Sequence, residues 1–271
     1  MEIAFTKMNG AGNDFVVVDN RDGSLALDQA TIARLCNRQR GIGSDGLLAV
    51  EPAQAGATHR MRYYNADGGE AEMCGNGARC FARFASRLTG DVSDRLSFET
   101  IAGVISARLL GENVELAMSE PHSLAAPVDL TIDGTLTSFH FVNTGVPHAV
   151  LFVQNLASTD VIRLGSGIRH HAHFAPAGTN VNFVQIDPDA DSIAIRTFER
   201  GVEGETLACG TGVVAAALLH HLVSGATSPV SVRVQGGDTL QVGFTKTSAN
   251  QFSEVTLTGP ADFVFDGRIT L

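Results

Sequence analysis

Short apolar runs broken by Gly, Asp and Asn recur along this chain, and two alanine-rich stretches with helical spacing interrupt them. Residues 16–18, 46–50 and 61–64 read as strands bounded by turn residues. Asp28 is placed to cap a helix running to about Arg38, with Ile32, Leu35 and Cys36 on one face and Gly41 just past its end. From Ala78 onward, Cys80, Phe81, Phe84 and Leu88 fall on one stripe, and Gly90 is the expected terminator. Strand-like patterning continues through 97–101, 104–110 and 114–118. It resumes near 138–143, 149–153, 181–186 and 192–198, followed by a helix after Cys209 and strands at 229–235, 239–245 and 253–258. Strands dominate, and each half holds one long helix apolar enough to be buried. The pattern predicts an α+β protein whose halves are each a β-barrel-like sheet wrapped around a central helix.

The two helical stretches begin alike. Glu70-Ala-Glu-Met-Cys74-Gly75-Asn76-Gly77 and Glu205-Thr-Leu-Ala-Cys209-Gly210-Thr211-Gly212 share the form Glu-x-x-x-Cys-Gly-x-Gly, and the step from one to the other spans half of the chain. The offset that carries Cys74 onto Cys209 also lays Gly12-Asn13 on Pro147-His148, Gly43-Ser44-Asp45 on Gly178-Thr179-Asn180, and Tyr64-Asn65 on Glu199-Arg200. Four features sharing one offset predict two pseudo-symmetric domains, 1–117 and 118–262, with 263–271 returning to complete the first. Equivalent polar positions of the two halves are expected to face a common cleft.

Composition narrows the function. With 44% hydrophobic and 18% charged residues the chain can bury a core, and its net charge of −10 disfavours a general nucleic-acid or polyanion binder. The first residues lack the basic and apolar regions of a secretory signal, and the longest apolar stretch, from Val213 to Val223, is short and contains His220 and His221. Four cysteines without framework-like spacing fit a reducing cytosol, so a cytoplasmic enzyme with no membrane or nucleic-acid partner is expected.

A cysteine at the start of a helix, met twice, carries the chemistry. Unbonded N–H groups and the dipole at a helix N-terminus favour negative charge. In favourable sites such a field brings a thiol from about 8.5 down to roughly 3.5–7.5. A large shift needs more than the dipole alone, and His148 or thiolate-stabilising amides could supply it. The glycines are expected to let backbone N–H groups approach a ligand, and each Glu to brace its turn by accepting backbone hydrogen bonds. Two opposed thiols, one ionised and one protonated, suit inversion of a carbon centre, because a single base does not reach both faces. The carbanion formed between them would be held by N–H groups of the helix ends. Cys36 and Cys80 lie on apolar helix faces and read as core. Two other signals are set aside. Gly41-Ile-Gly43-Ser-Asp-Gly46 fits a dinucleotide fingerprint but follows a helix and precedes a strand, and His170-His171-Ala-His173 lacks a metal-ligand partner at suitable spacing.

Asn9-Gly-Ala-Gly12-Asn13-Asp14-Phe15, Tyr64-Asn65-Ala-Asp-Gly68, Glu72-Met-Cys74-Gly-Asn-Gly-Ala-Arg79, Gly178-Thr-Asn180-Val-Asn-Phe183, Glu199-Arg200-Gly201 and Cys209-Gly-Thr-Gly212 resemble the diaminopimelate epimerase family, in order and over nearly the full length. The resemblance implies interconversion of LL- and meso-2,6-diaminopimelate, without pyridoxal phosphate or metal, by two α/β domains in a chain that forms homodimers. It implies Cys74 and Cys209 as the acid and base. Gly75, Asn76, Gly210 and Thr211 would lie around the reacting carboxylate and amine, and Asn13, Asn65, Asn180 and Arg200 would hold further polar groups of a zwitterionic amino acid. Glu199 would take the reacting ammonium, and with His148 adjust the thiol pKa values; Arg200 suits a bidentate grip on the distal carboxylate. Two positions depart from the pattern: Val146 stands where some members have a substrate-contacting Asn, and Gly46 where some have Gln. The residues alone leave other readings open: a racemase of another amino acid such as proline or histidine, a dithiol redox protein, and a noncatalytic carrier of a zwitterion.

Overall fold

A computed structural model of the chain describes residues 2–90, 93–132, 134–187 and 192–271. In chain order its elements are β1 (Glu2–Gly10), β2 (Asn13–Asp19), α1 (Gln29–Cys36), β3 (Gly46–Glu51), β4 (His59–Asn65), β5 (Glu70–Ala71), α2 (Gly75–Thr89), β6 (Arg95–Thr100), β7 (Gly103–Leu110) and β8 (Asn113–Ala117). There follow β9 (His122–Ile132), β10 (Thr135–Asn143), β11 (Pro147–Phe152), α3 (Val161–Arg169), β12 (Asn180–Ile186), β13 (Ser192–Glu199), β14 (Gly204–Thr206), α4 (Gly210–Ser224), β15 (Val230–Arg233), β16 (Thr239–Ser248), β17 (Gln251–Pro260) and β18 (Asp262–Thr270). The chain forms two compact units, one of residues 1–117 and 259–271, the other of 118–258. The returning segment begins at 259, a little before the expected 263. Arg79 and Arg83 of α2 donate to the carbonyls of Pro260 and Ala261, which ties that stretch to the first unit's helix.

Each unit runs through one pairing scheme. In the first, β18–β1–β2 are antiparallel, β2–β3 parallel, β3–β4 antiparallel, β4–β6 parallel and β6–β7–β8 antiparallel, with β5 on β4. The second repeats this as β9–β10–β11 antiparallel, β11–β12 parallel, β12–β13 antiparallel, β13–β15 parallel and β15–β16–β17 antiparallel, with β14 on β13. The parallel pair β4–β6 joins His59 to Phe98, and β13–β15 joins Ser192 to Ser231, across the same length of chain. Elsewhere the registers have drifted. Phe15 of β2 meets Gly46 of β3, whereas His148 of β11 meets Asn180 of β12, across a slightly longer stretch.

The helices hold the offset best. Both α2 and α4 have 15 residues, their starts are related by the Cys74-to-Cys209 offset, and they end at Gly90 and Gly225, each in the left-handed region. Within its unit α2 packs against strands β1 to β4 and β6 to β8, and α4 against β10 to β13, β15 and β16. Ala78, Cys80, Phe81, Ala82 and Ala85 are almost wholly buried, as is the run from Val213 to Leu219. A helix apolar on every side, as α4 nearly is, is stable only when surrounded. The smaller helix α1 is capped by Asp28, whose carboxylate accepts from Thr31 N at 2.8 Å, and stops at Cys36 rather than near Arg38 because Asn37 is already extended. Among the described residues no helix is long and apolar enough to cross a membrane.

Candidate active site

Of the residues picked out by the repeat, the two cysteines stand at the N-terminus of the enclosed helix of their unit, and Asn13 in the first and His148 in the second lie beside it. Cys74 is the N-cap of α2 and Cys209 that of α4; both are extended, and their carbonyls accept the first helical bonds, from Ala78 N at 2.8 Å and Val213 N at 2.9 Å. Neither sulfur caps its own helix, which leaves the thiol chemistry separate from the capping role that Ser or Asp would take there. Cys74 is half-buried and Cys209 is 8% exposed, while Cys36 and Cys80 are buried. Burial pushes the Cys80 thiol up to about 12, in keeping with a packing role.

The last glycine of each motif has a packing role besides, and the glutamates do something other than the sequence suggests. A Cβ on Gly77 would press on Leu48 and Phe15, and one on Gly212 would collide with the Asn182 amide oxygen. The last glycine of each motif therefore lets the helix settle onto the strands beneath. Glu70 does not brace backbone N–H groups: its carboxylate takes a two-pronged bond from Arg62 at 2.8 and 2.9 Å. Glu205 does the same with Arg196 at 2.6 and 2.7 Å. Antiparallel pairing sets Glu70 opposite Tyr64 and Glu205 opposite Phe198, so each arginine, two residues earlier on the partner strand, reaches its acid diagonally, and a guanidinium fork satisfies both oxygens where a single N–H would satisfy one.

In the first unit, Asn13 opens β2. Its Oδ1 lies 3.6 Å from Cys74 Sγ and its Nδ2 donates to Asp45 Oδ2 at 2.6 Å. Asp45 belongs to a charged cluster in which Asp14 pairs with buried Lys7 at 2.6 Å and with Arg38 at 2.8 Å. Hydrogen bonds from Arg38 and Lys7 outweigh burial and hold the Asp14 carboxyl down at about 2. Asn76, the second residue of α2, is buried and receives Arg79 Nη2 at 3.0 Å. Asn65 closes β4 opposite Gly46, and its Oδ1 accepts from the Tyr63 hydroxyl at 2.9 Å. That leaves the Asn65 amide N–H groups as donors. Gly46 has no space for a side chain, since a Cβ there would stand 2.5 Å from the Tyr64 carbonyl oxygen and 2.8 Å from the Tyr63 ring.

In the second unit, His148 on β11 is fully buried beneath the first turn of α4. Asn182 Nδ2 donates to its Nδ1 at 3.1 Å and to the Ala149 carbonyl at 3.1 Å, while Thr197 donates to Asn182 Oδ1 at 3.0 Å. The proton of the neutral ring therefore sits on Nε2, a buried atom with no protein partner among the described residues. Burial, followed by the nearby Arg200 charge, takes the imidazole down to about 3. Any influence of His148 on a thiol at neutral pH is that of an N–H donor, not of an imidazolium whose charge would favour a thiolate. Asn180 bridges two loops, donating to the Pro147 carbonyl at 3.1 Å and accepting from Arg200 N at 2.9 Å. Arg200 also donates to Ala177 O. Glu199 accepts from the Thr206 hydroxyl at 2.9 Å, and burial raises its carboxyl. Thr211 lies with its hydroxyl 3.6 Å from Cys209 Sγ, and its carbonyl accepts from Thr144 at 2.9 Å. The histidine-rich turn set aside above is engaged elsewhere: His170 faces Glu203 at 3.4 Å, and the His173 ring packs on Phe139 and Phe174.

Several participants have no local signature. Arg62, Arg196, Thr206 and Tyr63 become visible only once strands are paired, whereas Asp45 carried a signal as part of the repeated Gly43-Ser44-Asp45. Asn182 carried a signal, being polar within the apolar run Val181-Asn182-Phe183-Val184.

The family profile described as Diaminopimelate epimerase matches residues 5–123 and 140–264. The diaminopimelate epimerase of Chlorobaculum tepidum is 44% identical over 270 residues, covering 97% of this chain and 100% of the relative. That of Aquifex aeolicus is 41% identical over 278 residues, covering 98% and 97%. Among solved structures, a PhzF-family phenazine biosynthesis protein of Bacillus anthracis superposes with a TM-score of 0.74 at 16% identity, over the whole of both chains. A probable proline racemase of Agrobacterium radiobacter, solved with bound carbonate, gives 0.71 at 18% identity over 99% of this chain and 93% of that one. At such identities these two likenesses concern the fold alone.

Proposed function

The chain belongs to the diaminopimelate epimerase family, and from that premise we propose that it interconverts LL- and meso-2,6-diaminopimelate with Cys74 and Cys209 as a two-base pair. One thiolate removes the α proton, the electron pair of the broken C–H bond spreads onto the adjacent carboxylate, and the other thiol returns a proton to the opposite face. The first sulfur ends protonated and the second ionised, so the reverse reaction begins from that state. Gly75, Asn76, Gly210 and Thr211 line the helix ends that take the carboxylate charge. The chemistry calls for no added cofactor.

The observation that carries this reading is the duplicated thiol: a cysteine at the N-cap of an enclosed 15-residue helix, free of capping duty, in both units. The polar neighbours fit an amino acid. A Glu199 carboxyl raised by burial gains most by ionising against a substrate ammonium, and the Arg200 guanidinium suits the distal carboxylate. The Asn65 N–H groups, turned outward by Tyr63, and the Asn13 and Asn180 amides complete the polar set around a zwitterion. We place the enzyme in the cytoplasm, where a reducing milieu keeps both thiols reduced, and as a homodimer, in line with the family resemblance.

Incubating the enzyme with LL-diaminopimelate in deuterium oxide tests the reading. Deuterium enters the α carbon as the meso isomer forms, and Cys74→Ala and Cys209→Ala each abolish turnover. Cys→Ser variants bind substrate but lose most of their rate, since a serine hydroxyl is a far weaker acid. Exchange with proline or histidine and none with diaminopimelate would replace this substrate. Consumption of a reductant during turnover would point instead to dithiol redox chemistry, and binding without any exchange to a carrier.

A further inference from the structure

The two thiols share a helix field but differ in their side-chain partners. Cys209 faces a threonine hydroxyl, which donates or accepts and so accommodates sulfur in either protonation state. Cys74 faces Asn13, whose amide can present an oxygen or an N–H group, and which it presents is settled by the residue on its other side. Asp45 Oδ2, 2.6 Å from Asn13 Nδ2, is a carboxylate oxygen and only accepts. The Asn13 N–H groups must therefore point to Asp45, and Oδ1 to Cys74 Sγ at 3.6 Å. An amide oxygen beside sulfur is satisfied by S–H and repelled by a thiolate.

We propose that Asp45 is a positioning residue for Cys74: by locking the Asn13 amide with its oxygen toward the sulfur, it keeps the proton on that thiol. The lock is rigid because Asp45 is itself held on several sides. Arg38 Nη2 reaches Oδ1 at 2.8 Å, Asp14 N donates to Oδ2 at 3.2 Å, and Asp45 N donates to Asp14 Oδ1 at 3.0 Å. Buried Lys7, bonded to Asp14 and the Gly43 carbonyl, anchors the far end. The charged groups of the surrounding elements are thus Lys7 on β1, Asp14 on β2, Arg38 and Asp45 before β3, the Arg62–Glu70 pair of β4 and β5, Glu72 beside the motif, and Arg79 on α2. Helix fields of equal length draw both thiols toward ionisation; the oxygen of Asn13 is a feature that separates them. The pair then enters catalysis already unequal.

The proposal rests on Cys74 being a reacting thiol, but its test reads the sulfur directly and needs no turnover. Iodoacetamide alkylation of the Cys74 and Cys209 peptides is followed by mass spectrometry against pH in the full-length protein. Asp45→Ala and Asn13→Leu each lower the Cys74 midpoint by about one pH unit, roughly a tenfold faster alkylation below the midpoint, with Cys209 unchanged. Asp45→Asn removes the charge yet still offers an oxygen to Asn13, and leaves the Cys74 midpoint in place. Protection of buried Cys80 reports an intact first unit. Should Asp45→Ala expose Cys80, the contrast between Asn13→Leu and Asp45→Asn decides the matter. A Cys74 midpoint unmoved in Asn13→Leu overturns the proposal, and so does an Asp45→Asn shift as large as that of Asn13→Leu, since charge and not orientation would then be the cause. If Cys74→Ala retains turnover, the two-base reading falls, whatever the alkylation profile shows.

Discussion

Acid should weaken the second unit through one buried ring, His148. In the folded protein its imidazole stays neutral down to about pH 3, whereas an unfolded chain protonates histidine near 6.5. The folded pKa lies below the unfolded one for a group that gains charge on protonation. Its contribution to stability is therefore complete above about pH 6.5 and declines as pH falls, until the folded ring titrates as well. At pH 5 nearly every unfolded molecule and almost no folded one carries the proton, which makes the loss on the order of 2 kcal/mol relative to pH 7.5. His148→Gln keeps an oxygen that can accept from Asn182 Nδ2 and removes the titration. Urea unfolding of both proteins at pH 7.5 and pH 5, followed in the transition of the second unit, isolates the ring, because every other group titrates in both. The wild type should lose about 2 kcal/mol more than the variant. The ring C–H resonance that vanishes in the variant should not move across that range in the wild type. Equal losses, or a resonance titrating near pH 6, would show that the ring reaches water and that burial does not hold it neutral.

Asp14 acts at lower pH with the same sense. Its carboxyl is held near 2 against an ordinary 3.8, so the stabilisation is present above about pH 4 and lost between there and pH 2; allowing for solvent screening it amounts to about 1–2 kcal/mol. Asp14→Asn should flatten the stability profile of the first unit over that interval in chemical denaturation. Gly46→Ala drives a methyl against the Tyr64 carbonyl and the Tyr63 ring and should cost about 1–3 kcal/mol. Gly204→Ala, with open space around it, should change stability by about 0.5 kcal/mol or less, and thermal unfolding of the two variants makes the comparison. Removing Arg196 strands Glu205 and also releases the Leu156 and Thr159 carbonyls, so Arg196→Ala should cost about 2–3 kcal/mol, more than Arg62→Ala, whose Glu70 is more exposed. Equal denaturation midpoints for the two arginine variants would contradict that ranking.

What was legible in the sequence is what local chain chemistry determines. The enclosed helices announced themselves by an apolar stripe in α2, an almost wholly apolar surface in α4 and a glycine at each end, and both lie where that pattern put them. Most strands were visible as apolar runs between turn residues. Those missed had weaker signals: β1 mixes Glu2, Thr6 and Lys7 into its apolar positions, β9 is largely exposed, and α3 is short and glycine-containing. The expectation for the motif glutamates failed for a different reason. Their partners, Arg62 and Arg196, stand on the neighbouring strand of a β-pairing, and nothing in the local sequence says which side chain will come within reach. His148 was expected to help lower a thiol pKa, as a positive charge beside sulfur does. Full burial under α4 and the nearby Arg200 charge keep the ring neutral, and both are facts of packing.

The offset between Cys74 and Cys209 is kept by the helices that these cysteines cap, while the hydrogen bonds around them have diverged. An N-cap thiol needs only the turn and the helix beneath it, and a small drift between strands, such as that separating β2–β3 from β11–β12, leaves such a turn intact. The same drift changes which polar side chains meet. Asn13 is bonded to Asp45 in one unit, whereas its counterpart His148 is bonded to Asn182 in the other, and Asn180, the counterpart of Asp45, ties backbone to backbone. In the two-base centre proposed above, such inequality selects which of the two thiols holds the single proton of the pair. On the proposed two-base reading, the duplicated helix supplies two equivalent proton carriers, and the role proposed for the unduplicated hydrogen bonds is to set which of them starts with the proton. Substitutions in the shared scaffold, at Gly77 or Gly212, should therefore impair both directions of the reaction together. Those in the divergent networks, at Asp45 or Asn182, should change the pH at which the pair is correctly set.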